Sequence, residues 1–338
     1  METKRKRDSR MQQFLSRRNF AFGLTATGAY LTGCKSGVAA AKVKMPGVPS
    51  PPTAPAAPEK FGAVRTDPYD WLRNREDPRV VAYLNEENTY ADALLKPIKP
   101  LLDELTAELQ QRATPADASV PTAYSGYVYQ RRFVRGSQYP VIVRWKDVTE
   151  SSEEEVVLDV GALSASHARQ WHLGSWTVSP DNRRVAFTVD FNGNGQFRVF
   201  VRALSTGNVD DQGIRNAASS LVFGADSEGL FYVRNDPVTV RASQVWRHRI
   251  GRDTTTDVLI YEEKDPTFSV GLDLSKSRKF VLLHIEAEHS SEVRYLPADQ
   301  STGELKVIEP RRGGVIYEID HASDQFFVRT NVNAPDSG

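Results

Sequence analysis

The single thiol in the 338-residue sequence, Cys34, closes a weakly apolar run from Ala21 to Gly33. Leu31-Thr32-Gly33 puts small residues directly before it, so a peptidase can reach the preceding bond. A thiol in that position is the acceptor for a diacylglyceryl thioether, the chemistry of a lipoprotein anchor. Upstream, Ser16-Arg17-Arg18-Asn19-Phe20 sets paired guanidinium groups ahead of the apolar run. A positive start, a short apolar middle and small residues before a cleavage point make the pattern of an export signal. Arg-Arg also occurs at 131–132, 183–184 and 311–312, so the pair alone says little. The serine before it, the phenylalanine after it and the run behind it predict a twin-arginine-type signal over residues 1–34. Its export residues are Ser16, Arg17, Arg18 and Phe20, and its lipidation residue is Cys34. The plainer readings are a basic tail with a short buried helix, and a buried structural cysteine.

On the export reading, the protein crosses a bacterial inner membrane and stays in the cell envelope, tied to a membrane by acyl chains. The other reactive side chains promise less. His167 and His172, like His284 and His289, are five residues apart, which gives no same-face helical pair for a metal. All six histidines, with His248 and His321, read as packed or surface side chains. One cysteine allows neither an internal disulfide nor a Cys-based zinc site. Glu153-Glu154-Glu155 reads as a solvated loop and Gly313-Gly314 as a turn, and no glycine-rich phosphate loop appears. No catalytic, cofactor-binding or metal-binding residue is assigned, and no cofactor is expected.

The elements that must carry these residues follow from composition and period. A sequence that is 40% hydrophobic and 25% charged is that of a folded soluble protein. No apolar run approaches the ~20 residues of a membrane-spanning helix. The 43 basic and 43 acidic side chains are unevenly placed. Residues 1–33 hold seven basic groups and two acidic ones, leaving a net charge of −5 for residues 34–338. That acidic body gives no reason to expect a nucleic-acid partner. Residues 35–60 read as a tether, because 46–58 contain six prolines among Ala, Ser and Thr. Residues 61–119 read as a helical segment. Asp77 is an N-cap with Pro78 at the first helical position. Val80, Val81, Leu84, Ala91, Leu94 and Leu95 share one stripe, which should pack on a neighbour. Pro97 and Pro100 should break that helix, and Leu101, Leu102, Leu105 and Leu109 line the face of a second.

From residue 120 to 338 the period becomes alternating. Val185, Phe187 and Val189 point one way along a strand, Asn192-Gly193-Asn194-Gly195 turns the chain, and Phe197, Val199 and Val201 return. Similar units open at Ser175, Ser219, Ser269 and Tyr317, spaced by 44 to 50 residues, and Tyr127–Trp145 fits the later strands of an earlier unit. Several strands per unit at this period predict β-propeller blades, with room for about four and a half units. A long β-sandwich is the rival, but sandwiches do not repeat at this period. The expected fold class is all-β, an incomplete propeller of about five blades after a short helical segment.

Longer stretches resemble a known family. Asp67-Pro-Tyr-Asp-Trp-Leu-Arg and Arg75-Glu-Asp-Pro-Arg-Val-Val-Ala-Tyr-Leu-Asn-Glu-Glu-Asn-Thr-Tyr are similar to the N-terminal segment of the prolyl oligopeptidase family (S9A serine peptidases), nearest to its oligopeptidase B branch. So are Gly136-Ser-Gln-Tyr-Pro, Val156-Val-Leu-Asp-Val, Val178-Ser-Pro-Asp, Val245-Trp-Arg-His-Arg-Ile-Gly, Tyr261-Glu-Glu-Lys-Asp-Pro and Pro310-Arg-Arg-Gly-Gly-Val-Ile-Tyr-Glu-Ile-Asp-His. The resemblance runs from about residue 61 onward. It implies a serine peptidase in which a helical extension braces an α/β-hydrolase domain and a seven-bladed propeller admits only short peptides. It implies cleavage after Arg or Lys, with the catalytic residues mostly downstream of the propeller.

The sequence departs from that pattern in one respect. The nucleophile elbow Gly-x-Ser-x-Gly occurs nowhere in it, and a Ser-His-Asp triad needs its serine on such a turn. The expectation is therefore the N-terminal portion of an oligopeptidase B-like peptidase, with the α/β-hydrolase domain absent from the 338 residues. Its partners would be short peptides, a separate catalytic domain and, through the anchor, a membrane. The alternative is a non-catalytic, envelope-anchored propeller that binds peptides or a protein partner. Exposed strand edges and blade faces would then need covering.

Overall fold

The computed structural model describes residues 47–54, 67–112, 117–134, 136–146, 153–165, 171–300 and 303–334. Two compact units divide the chain, 1–107 and 108–338. In the first, a 3-10 turn at Asp70–Arg73 precedes α1 (Pro78–Leu95). The Asp77 carboxylate caps α1 by accepting from the Arg79 backbone N–H at 2.9 Å, and it meets the Arg79 guanidinium at 2.6 Å. Those hydrogen bonds hold the Asp77 carboxyl below its ordinary range. Pro97 and Pro100 bend the chain without opening a loop. Lys96–Ile98 tightens to a 3-10 turn and α2 (Lys99–Arg112) follows directly, with Pro100 in the first turn, where no N–H is needed. Part of the proline-rich tether is fixed: Trp71 Nε1 donates to the Pro52 carbonyl at 2.9 Å and Ala54 N to the Pro68 carbonyl at 2.9 Å.

The expected packing of the leucine stripes is not found. Of the α1 stripe Val80 is buried, but Val81, Leu84, Leu94 and Leu95 are exposed, as are Leu101, Leu102, Leu105 and Leu109 on α2. Helical period established that the two helices have apolar faces. It did not supply anything to cover them.

The second unit is a succession of antiparallel sheets, each built from strands consecutive in sequence. The first contains β1 (Thr122–Tyr124), β2 (Tyr127–Phe133), β3 (Pro140–Trp145) and β4 (Glu155–Asp159), with a short helix α3 (Val160–Ala165) behind it. The second contains β5 (His172–Val178), β6 (Arg184–Asp190), β7 (Arg198–Ala203) and β8 (Val209–Asp211). The third contains β9 (Ala217–Phe223), β10 (Gly229–Asn235), β11 (Ala242–Arg249) and β12 (Val258–Glu262). The fourth contains β13 (Ser269–Leu274), β14 (Phe280–Ala287), β15 (Ser290–Pro297) and β16 (Lys306–Glu309), and β17 (Tyr317–Ala322) pairs with β18 (Gln325–Thr330) in a fifth. The repeated motifs at 175, 219, 269 and 317 fall in the first strand of successive sheets, and Tyr127–Trp145 spans the two middle strands of the first.

The apolar core is layered between sheets. Val185, Phe187 and Val189 of β6 pack toward Ile142 and Leu158 of the first sheet, while Ala186 packs toward Leu221 and Leu230 of the third. β10 divides likewise, Leu230 and Tyr232 facing the second sheet and Phe231 and Val233 the fourth. Leu282 of β14 meets Tyr317 and Ile319 of the fifth sheet. A period of two here separates two neighbours rather than core from solvent, so β6 is buried along nearly its whole length. Gly174 shows how tight this is. β5 bulges there, and an added Cβ would lie 2.4 Å from Thr188 Oγ1 and 2.6 Å from the Phe197 ring.

The acidic run is only partly a loop. Glu155 opens β4 and accepts from Arg144 Nη2 at 2.7 Å, and Glu154 meets Arg132 Nη1 at 2.6 Å. Arg144 is buried, so its guanidinium needs this carboxylate.

Candidate functional site

The first strand of each four-stranded sheet borders one cavity of 720 Å³. Such a strand has a sheet partner on one side only, and its free edge must find other hydrogen bonds. Short hydroxyl side chains provide them. Ser175 N donates to Thr188 Oγ1 at 2.9 Å, Thr188 Oγ1 donates to the Ser219 carbonyl at 3.0 Å, and Ser175 Oγ donates to the same carbonyl. Leu272 N donates to Ser220 Oγ at 3.4 Å. Ser175 and Ser220 thus stitch the inner strands of the second, third and fourth sheets around the cavity.

One wall is aromatic. Tyr129 lies 5.8 Å from Trp176 and 6.0 Å from Tyr124, centroid to centroid. Burial pushes the Tyr129 phenol above its ordinary range. The Arg278 guanidinium sits 4.8 Å over the Tyr124 ring, so the fourth sheet touches the first within the cavity lining.

The turns that follow the inner strands gather at one end. Asn182, Ser227 and Arg278 occupy corresponding places with φ of 60°, 60° and 62°, while the fifth sheet turns more tightly, with both Ser323 and Asp324 left-handed at 49° and 62°. Hydrogen bonds at these turns join the first sheet to the second, the second to the third and the fourth to the fifth. Asn182 Nδ2 donates to the Ser125 carbonyl at 3.0 Å, Asp181 N to Ser227 Oγ at 3.1 Å, and Ser277 N to the His321 carbonyl at 3.1 Å. Asp181 is partly buried, which raises its pKa, but the Ser179 hydroxyl and Arg183 N–H bonds prevail and keep it ionised below the usual range.

None of the described histidines lines this cavity. His248 and Asp257 form a pair 2.7 Å apart, with both side chains fully buried. Tyr232 donates to Asp257 Oδ2 at 2.9 Å, and burial pushes that phenol up. The His-Asp pair has the form of an acid–base dyad, but no substrate can reach it, so it braces the third sheet. His321 packs edge-on to Phe280 and bonds Ser277 Oγ at 2.8 Å. His172 and His289 are exposed, His284 lies on β14, and His167 is outside the described residues. Among the described residues no three His, Cys, Asp or Glu side chains are gathered to hold a metal. Arg311 is structural too: it reaches Glu263 at 2.5 Å and Glu292 at 3.4 Å, and stacks 4.1 Å over Phe268.

Residues 49–338 match the prolyl oligopeptidase N-terminal beta-propeller domain. The chain belongs to that family. Its five sheets are propeller blades, and the cavity lies where a propeller has its central channel. The chain is 38% identical over 310 residues to dipeptidyl aminopeptidase BI of Pseudoxanthomonas mexicana, covering 87% of this chain and 42% of that protein. It is 28% identical over 282 residues to protease 2 of Moraxella lacunata, covering 82% and 41%. Among solved structures, oligopeptidase B from Leishmania major matches with a TM-score of 0.73 and 27% identity, over 84% of this chain and 43% of that one. The chain thus spans about two fifths of the length of these relatives.

The family match starts at residue 49 and so takes in the helical segment as well as the sheets. Ser16, Arg17, Arg18, Phe20 and Cys34 lie outside the described residues, so the structure brings none of them together. Sequence reasoning missed the aromatic wall and Arg278. The signal was available: aligning the units at their turns places Arg278 where the second and third blades have Asn182 and Ser227.

Proposed function

We propose that this chain is the substrate-admitting propeller of an oligopeptidase B-like serine peptidase that hydrolyses short peptides after Arg or Lys. The observation that carries this reading is a single cavity of 720 Å³ bordered by the inner strands of four blades, a volume of the size that small ligands fill. Family membership and the names of the relatives support the peptidase part. The exposed leucine stripes of α1 and α2 fit a helical brace whose partner is a catalytic domain. In this reading the propeller contributes sieving and positioning, and the nucleophile belongs to the catalytic domain.

The direct test is binding by the full chain. An unstructured hexapeptide should bind saturably and be displaced by unlabelled copies, while a folded protein containing the same six residues in a rigid loop should not compete. Equal competition by the folded protein would remove the sieve.

We place the protein in the cell envelope, carried out by Ser16, Arg17, Arg18 and Phe20 and anchored at Cys34. Cys34→Ala should release it from the membrane fraction, and Arg17→Lys with Arg18→Lys should block export. A wild-type protein already free of membranes, or a double variant still exported, would refute the corresponding half.

A further inference from the structure

We infer that Arg278, leaning on the aromatic wall, forms a carboxylate-binding subsite for a peptide in the propeller channel. This rests on the reading that the channel admits peptides.

The first observation is the backbone. The second and third blades place Asn182 and Ser227 at the left-handed turn position, which small polar residues, Asn above all, tolerate best. The fourth places an arginine there at φ 62°. A long side chain gains nothing from such a conformation, which its Cβ disfavours, and a strained departure from a repeat points to a use for the side chain. Turn chemistry would favour asparagine.

The second observation is where the side chain goes. It crosses to the first blade and lies over the Tyr124 ring, 4.8 Å from its centroid. Among the described residues no carboxylate pairs with it, whereas Arg144, Arg184, Arg294 and Arg311 of the same unit each have a glutamate. A guanidinium held over a ring by its charge spends no N–H donor on that contact, and its donor edge matches a carboxylate bidentately.

The third observation is the charge of the lining. Arg131, Lys276 and Arg278 face one carboxylate, Asp273. Lys276 is already engaged with Asp320 at 3.2 Å, and Asp273 accepts from the Leu274 N–H at 2.7 Å. The free charge in the channel wall is therefore cationic and sits beside Tyr124, Tyr129 and Trp176. The ligand that fits is a peptide presenting a carboxylate next to an apolar side chain. That carboxylate can be the main-chain terminus or an Asp or Glu side chain.

Calorimetric titration of the full chain with three hexapeptides sharing an Ala/Phe/Gly core distinguishes the cases. One ends in a free acid, one in an amide, and one in an amide with a glutamate inside. The acid or the glutamate peptide should bind about tenfold more tightly than the neutral amide, and whichever does so identifies the source. Arg278→Asn, which installs what the second blade has at 182, should erase the difference while leaving the melting temperature in place. Raising salt from about 50 to 500 mM should narrow the gap in the unmodified protein, a check independent of any substitution. Equal binding of all three peptides, or discrimination that survives Arg278→Asn or high salt, would overturn the subsite and leave the channel reading intact. No binding of any peptide would overturn both.

Discussion

The helical unit and the blades are both amphipathic, yet only the blades bury their apolar faces. Leu84 on α1 is 52% exposed and Leu109 on α2 is 67% exposed, while Phe187 on β6 is 1% exposed. Local pattern quality does not account for this. Both helices have a proper stripe, and α1 has a capped start. The difference is the availability of a partner. A blade repeated along the chain meets its own kind on either side, so each apolar face has a counterpart supplied by the repeat. A helix stripe that occurs once must wait for a surface of another sort.

This comparison is broken or sharpened by substitutions on its two sides. The largest effect should come from Phe187→Ala, which opens a void between the first and second blades and costs about 3–5 kcal/mol. Urea denaturation reads it directly, and a cost under about 1 kcal/mol would mean that the layers are loosely packed. Acid should act next. Burial alone would raise the Glu263 and Glu292 carboxyls, but Arg311 and Tyr261 on the first and Arg294 on the second bring both below their usual value near 4.5. Groups shifted this way stabilise the fold fully above that value and lose the contribution as pH falls through the lower, folded one. The denaturation midpoint should therefore drop as pH falls below about 4.5, and Arg311→Gln should flatten that drop. An unchanged acid arm in the variant would remove the link.

Smaller effects belong to the helices. Asp77→Ala removes the cap on α1 and should cost about 1 kcal/mol of its local stability, seen as faster amide exchange in its first turn. Leu105→Ala should fall within about 0.5 kcal/mol of the unmodified protein, because the side chain touches little. A loss of 2 kcal/mol or more there would show that α2 is packed after all, and the contrast between the two regions would fail.

Much of the blade architecture was legible in the sequence because it depends on local signals. Asn192-Gly193-Asn194-Gly195 marks a turn, and Val185, Phe187 and Val189 mark a face. What could not be read was which neighbour each face meets. Alternation predicts one wet side for β6, and the structure fills that side with Ala186 and the third blade. The cavity was less legible still. Tyr124, Tyr129 and Trp176 are separated by up to 52 residues and converge only because inner strands of adjacent blades do. Arg278 looked like one surface charge among many, since its reach toward Tyr124 depends on the spacing of the first and fourth blades.

The layered core has a further consequence for how damage and novelty travel. Each apolar layer belongs to two adjacent sheets, and none is common to three. A lesion at Phe187 should therefore leave the amides around Ile319 as slow to exchange as before, two interfaces away. The same locality lowers the barrier to innovation. A duplicated blade needs one new matching face on each flank, and the other apolar layers can stay as they were.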